Sequence, residues 1–231
     1  MRNVLIALAF LALATAPVRA RLFQSFDFEE RQLGNDEDVP MHWSKLAGVG
    51  LPHYVVGRLA TDRARSGRYA FRMDLDGGSC VYQYDPARLQ VAVGGHYRLT
   101  AFCQTTPLAH ARARLTLALA DADGQVIPGS EVRSELYAAY DTFQDWHALS
   151  AEVTDADPHA ASLVVRLELL QPARYAASSL GDRSLFPEDV RGSAWFDDVV
   201  VAQVPKDSPF SGRWPPRRVP GPVCRRRPGG S

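Results

Sequence analysis

Ala194-Trp195-Phe196-Asp197-Asp198-Val199-Val200-Val201-Ala202 reads as a closing β-strand with a carboxylate set in an apolar run. Side chains alternate faces along a strand. Trp195, Asp197, Val199 and Val201 then share one face, and Phe196, Asp198 and Val200 the other. The Trp/Val/Val face is the better core face, so Asp197 is expected to point inward. A buried carboxylate has to be paired, hydrogen-bonded or bound to a metal. What satisfies Asp197 is the first question the chain poses.

Upstream of that run the sequence keeps the same character. Strands are expected at 22–29, 68–75, 79–84, 96–105, 112–121, 146–153 and 162–170, with a further short one at 89–93. In 112–121, Ala113, Leu115, Leu117 and Leu119 lie opposite Arg112, Arg114, Thr116 and Ala118. That is the half-buried alternation of an antiparallel strand. In 22–29, Phe26 and Phe28 oppose Asp27 and Glu29. Gly77-Gly78 between two strand-like runs reads as a hairpin turn. Many short strands, frequent turns and few helical patterns predict an all-β fold: a two-sheet antiparallel β-sandwich of jelly-roll type. Long loops are expected at 31–59 and 172–193, and long loops in small domains often carry function.

The ends differ from this body. Arg2 followed by the apolar run 4–14 predicts an export signal over 1–20, cut after Ala20 or, on a better small-x-small match, after Ala16. The run is shorter than the ~20 residues that span a bilayer comfortably. No later segment is long and apolar enough to cross one. The domain is then 21–205, large enough to bury a core without disulfide staples. It holds 17 Lys+Arg against 25 Asp+Glu, a net −8, which argues against nucleic acid as a partner. The tail 206–231, with 7 Lys+Arg, one Asp and repeated prolines, has too little apolar material to fold. It is either a basic linker or wall-directed segment, or the product of a shifted reading frame in GC-rich DNA. Three cysteines leave at least one thiol without an intramolecular partner. Cys80 and Cys103 either pair across neighbouring strands or stay buried and free.

Four motifs in order carry a family resemblance: Phe26-Asp27-Phe28-Glu29, Pro40-Met41-His42-Trp43, Ala64-Arg65-Ser66-Gly67-Arg68-Tyr69-Ala70-Phe71 and Trp195-Phe196-Asp197-Asp198-Val199. With them, residues 23–204 resemble carbohydrate-binding modules of the galactose-binding-like jelly-roll group. The resemblance implies a non-catalytic module that binds polysaccharide, often beside a catalytic domain. This chain would then be a truncated relative of a longer glycan-active enzyme. It also implies a structural Ca²⁺ joining first and last strands. Calcium takes six to eight oxygen ligands, and Glu29, Ser66 and Asp197 are the expected contributors. The alternative is that Asp197 accepts hydrogen bonds from the 66–67 turn or pairs with an arginine.

Sugar binding needs aromatic faces for the pyranose rings and polar groups for the hydroxyls. Tyr82, Tyr84, Tyr137 and Tyr140 are the expected binding residues, with Trp43 and Tyr54 further candidates in the first long loop. Trp146 and Trp195 sit in strand-like runs and are expected in the core. No catalytic set emerges. The six histidines lack metal-ligand spacing, and there is no nucleophile elbow or phosphate loop. Glu131 and Glu135 could serve as the carboxylates of a glycosidase, but residues so spaced are more often surface groups. The reading is an exported glycan-binding β-sandwich. Its alternative is a structural or protein-interaction module of the cell envelope.

Overall fold

The computed structural model describes residues 20–141, 145–178 and 185–206. Residues 1–19 of the expected export signal and the tail after Lys206 lie outside the described residues. Among the described residues there are eleven strands: β1 (Arg21–Phe26), β2 (Trp43–Lys45), β3 (Gly57–Ala60), β4 (Ala70–Asp76), β5 (Cys80–Tyr84), β6 (Tyr97–Thr105), β7 (Arg112–Ala120), β8 (Val132–Arg133), β9 (His147–Val153), β10 (Ser162–Leu170) and β11 (Arg191–Gln203). They form two antiparallel sheets. One has the order β3-β4-β11-β6-β9, with β1 also on β11; the other is β2-β5-β10-β7-β8. The expected two-sheet sandwich is the fold observed.

Alternation builds the core from both sides. Leu115, Leu117 and Leu119 on β7 and Leu163, Val165, Leu167 and Leu169 on β10 face Leu99, Ala101, Cys103 and Leu149 of the other sheet. An aromatic cluster closes one end of the core. Phe26 packs edge-on to Trp43 and Tyr84, and Phe71 edge-on to Tyr82. Each such pair adds about 0.5–1.5 kcal/mol beyond its area.

The structure corrects several expectations. The Gly77-Gly78 turn does not make a hairpin. Both glycines have positive φ, at 73° and 76°, yet β4 lies in one sheet and β5 in the other. The turn carries the chain over the rim of the sandwich. The expected loop 31–59 contains β2 and β3, and 89–93 makes only an isolated bridge, Gln90 to Ser162. The first strand ends at Phe26 because Phe28 turns left-handed, with φ at 57°. Both rings still reach the core, since the break re-aims Phe28. Cys80 and Cys103 lie in different sheets and are free and buried.

The largest correction concerns the closing strand. Asp198 takes φ at 47°, and the register of β11 on β6 shifts between Asp197 and Val200. This bulge inverts the alternation. Ala194 and Phe196 face the core before it, Val199 and Val201 after it. Trp195 therefore lies on the outer side of its sheet, opposite Arg72 and Gln104. Its indole N–H donates to Asp62 at 3.0 Å, and the Arg63 and Arg72 guanidiniums cover its ring at 4.3 and 5.0 Å. Trp195 is buried as expected, but under arginines rather than between the sheets.

Candidate functional site

The bulge in β11 is also where that strand changes partner. Residues 191–196 pair with β4, and residues 199–203 pair with β1. The junction leaves a gap, filled by the turn that leads into β4. Asp197 points into this gap on the outer side of the sheet, not into the inter-sheet core, and is 0% exposed. Its Oδ2 accepts the Arg65 and Ser66 N–H groups at 2.8 and 3.0 Å, and its Oδ1 accepts the Asp198 N–H at 2.7 Å. Asp198 binds the Ser66 hydroxyl at 2.7 Å and the Arg65 guanidinium at 2.5 Å. Glu29, just past β1, accepts the Arg68 and Tyr69 N–H groups at 2.6 and 2.7 Å. Burial pushes the Asp197 carboxyl up to about 7, the Ser66 N–H bond lowers it, and the Asp198 charge raises it further.

The Glu29, Ser66 and Asp197 groups expected around a calcium ion are here engaged in hydrogen bonds at the 65–69 turn. A calcium ligand offers an oxygen lone pair to the ion; here Asp197 Oδ2 and Glu29 Oε1 take N–H groups of the turn, and Asp197 Oδ1 takes the Asp198 N–H on β11 itself. Ser66 contributes an N–H and a hydroxyl aimed at carboxylates. Among the described residues no group of three or more His, Cys, Asp or Glu side chains is arranged to hold a metal ion. Hydrogen bonds tie β1, β4 and β11 together here.

The four expected sugar-binding tyrosines divide into two pairs. Tyr82 and Tyr84 face the core, at 3% and 5% exposure, and have no free ring face for a sugar. Tyr82 donates and accepts at Gly57, its oxygen taking the Gly57 N–H at 2.9 Å. Alternation on β5 is respected, but the face they share is the inner one. Trp43 is likewise in the core, while Tyr54 is exposed and edge-on to His53.

Tyr137 and Tyr140 do come together. They line a shallow cleft of about 420 Å³ with Ala138, Asp145, Trp146 and His147. Its floor is fixed by backbone pairing. Tyr137 and Ala113 exchange N–H···O bonds at 2.9 and 2.7 Å, and the Ala139 N–H reaches the Thr105 hydroxyl at 2.7 Å. The segment thus bridges β7 of one sheet and β6 of the other. His147, the first residue of β9, stacks on Tyr137 with centroids 4.3 Å apart and planes at 4°. Its Nε2 lies 2.5 Å from Glu135, which holds the imidazole in place. Tyr140 stands 86% exposed, and Trp146 is half-buried. Phe143 lies outside the described residues.

Trp146 and His147 escaped the sequence reading for one reason. A strand over 146–153 puts Trp146 into a sheet, but β9 begins at His147 and the indole sits just before it. Another cleft, between Arg31, Arg58, Tyr69 and Arg72, presents one ring and arginines already bound to Asp38, Asp74 and Asp62. The outward face of the five-stranded sheet carries Arg114 on Glu168 and Arg166 on Gln83 and Glu131, flanked by small buried apolar clusters around Ala118 and Val164 and around Val81 and Leu170.

No protein-family model matches the sequence, and no curated protein matches it. Solved structures do match. The CBM22-1 xylan-binding domain of Xyn10C from Paenibacillus barcinonensis aligns with a TM-score of 0.51 at 14% identity, over 82% of this chain and 98% of that one. The tandem CBM22-1-CBM22-2 domain of the same protein aligns at 0.51 and 14%, over 83% of this chain and 48% of that one. A structure described for the promiscuous specificity of carbohydrate-binding modules from the β-sandwich superfamily aligns at 0.51 and 10%, over 80% of this chain and 63% of that one. At these identities the likeness is one of fold: the chain has the β-sandwich architecture of carbohydrate-binding modules.

Proposed function

We propose that this chain is an exported, non-catalytic carbohydrate-binding module, and that the cleft of Tyr137, Tyr140, Trp146 and His147 receives the glycan. The observation that carries the reading is the placement of Tyr140. Its ring is almost wholly in water beside a second half-buried ring, at the rim of a concavity. An aromatic face presented this way stacks on the apolar face of a pyranose, while the tyrosine hydroxyl and neighbouring polar groups meet the sugar hydroxyls. The fold supports the class of ligand, since proteins of this architecture are described as xylan- or carbohydrate-binding. The apolar run at 4–14 supports export. His147 and Glu135 serve as supports, with the imidazole stacked under Tyr137 and held by the carboxylate.

A glycan array probed with the full chain tests this. Binding to one or more polysaccharides is expected, and Tyr140→Ala and Trp146→Ala are expected to abolish it while the fold stays intact. A folded protein that binds no glycan sinks the reading. It would favour a protein-interaction module, for which the exposed Val49, Tyr54, Val56 and Val190 are among the apolar side chains at the surface.

A further inference from the structure

We infer that the ligand of this cleft is a glycan carrying protonated amines, such as a glucosamine polymer. The inference rests on the carbohydrate-binding reading above and names the chemistry it leaves open. The ring faces of Tyr and Trp carry negative potential and attract a cation set over them. Tyr140 and Trp146 offer such faces in one concavity. Asp145 lines the same cleft, is exposed, and makes no ion pair among the described residues. A carboxylate beside aromatic faces is a receptor for an ammonium group.

The surrounding charge agrees. Residues 134–148 hold Glu135, Asp141 and Asp145 and no lysine or arginine. The basic group there is His147, already held against Glu135. The domain is acidic as a whole, with 25 Asp+Glu against 17 Lys+Arg over 21–205. An acidic glycan would meet repulsion at this cleft. It would find arginines already engaged elsewhere, as Arg114 is on Glu168 and Arg72 on Asp62 and Asp74. A neutral glycan would stack and offer Asp145 hydroxyl donors, but no positive charge to meet its own. An amine-bearing glycan uses the rings and the carboxylate together.

Calorimetric titration of the full chain with a glucosamine oligosaccharide and with its fully N-acetylated counterpart decides the matter. Polylysine serves as a control for charge alone. The amine form is expected to bind about tenfold tighter, the scale that one cation–π contact and one carboxylate supply. Asp145→Asn is expected to bring the two oligosaccharides within about twofold, and Tyr140→Ala to weaken both. Added salt should erode the preference. Equal or tighter binding of the acetylated form overturns this inference and leaves the carbohydrate reading standing. So does a preference that survives Asp145→Asn, or polylysine binding as tightly as the amine sugar. Failure of every glycan, on the array as well, removes the carbohydrate reading and this inference with it.

Discussion

The Asp197 carboxylate accepts the Ser66 backbone N–H at 3.0 Å, across 131 residues of chain. Its other bonds, to the Arg65 and Asp198 N–H groups, leave both oxygens engaged. An amide in its place would turn a donor toward an N–H. Asp197→Asn is therefore expected to cost about 1–3 kcal/mol, the scale of a buried donor left unsatisfied. Denaturant unfolding of the variant would measure it. A loss below experimental error would show that the turn does not depend on this carboxylate.

The same group sets a pH dependence. Burial raises the folded-state carboxyl to about 7, while the unfolded value is about 3.9. The folded state then binds the proton more tightly. The Asp197 contribution to stability is full below about pH 4 and is lost as pH rises through 7. The stability gap between the native protein and Asp197→Asn should accordingly narrow from pH 5 to pH 7.5. A gap that widens over that range would mean the N–H bonds outweigh burial.

Gly67 has φ at 63°, and a Cβ there would overlap the Glu29 carboxylate that binds the Arg68 and Tyr69 N–H groups. Gly67→Ala should lower stability by more than the ~1 kcal/mol that such a change gains where the backbone is free of strain. Glu29→Gln, which keeps one acceptor oxygen, should cost less. Thermal melts of the two variants would rank them, and the reverse order would show that Glu29 can move away freely.

Calcium and its removal should leave the melting temperature unchanged, because Asp197 and Glu29 accept N–H groups of the 65–69 turn and the Ser66 hydroxyl donates to Asp198. Anything binding only the folded state would raise it. A melting temperature that drops with chelator would mean that these carboxylates exchange N–H donors for a cation.

Burial raises the Cys80 thiol to about 12 and the Cys103 thiol well above its ordinary value. The thiolate is the reactive form. Both should resist an alkylating reagent at pH 8 in the folded protein and react together on unfolding. Mass spectrometry of labelled peptides reads this directly; early labelling of either would mean that the sandwich opens locally at that strand.

Much of this architecture is legible locally. The core facing of the β7 leucines and the full extent of β10 lie in neighbouring residues, and the structure follows them; the half-buried pattern expected of β7 does not hold, because Arg114, Thr116 and Ala118 on its other face are buried too. The site was half legible. Tyr137 and Tyr140 were marked by residue type alone, with nothing to separate them from Tyr82 and Tyr84. On β5 the face of alternation was readable, but which face is inner depends on the sheet across the core. Trp146 was hidden by a strand boundary one residue out, since strand ends are set by pairing partners rather than by propensity.

The sequence by itself determined that the chain makes short alternating strands, that it packs them as two sheets, and that Asp197 needs partners. The tertiary structure alone decided which strands share a sheet, as at Gly77-Gly78, where a hairpin-like turn joins different sheets. It decided the bulge at Asp198, where β11 trades β4 for β1 and the facing of Trp195 inverts. It also pinned residues 137–139 to Ala113 and Thr105, which sets that loop beside His147 to make a cleft. The physical reason is common to all three. Alternation is a property of adjacent residues, whereas pairing, bulges and clefts arise where segments far apart in the chain must satisfy one another's backbone groups.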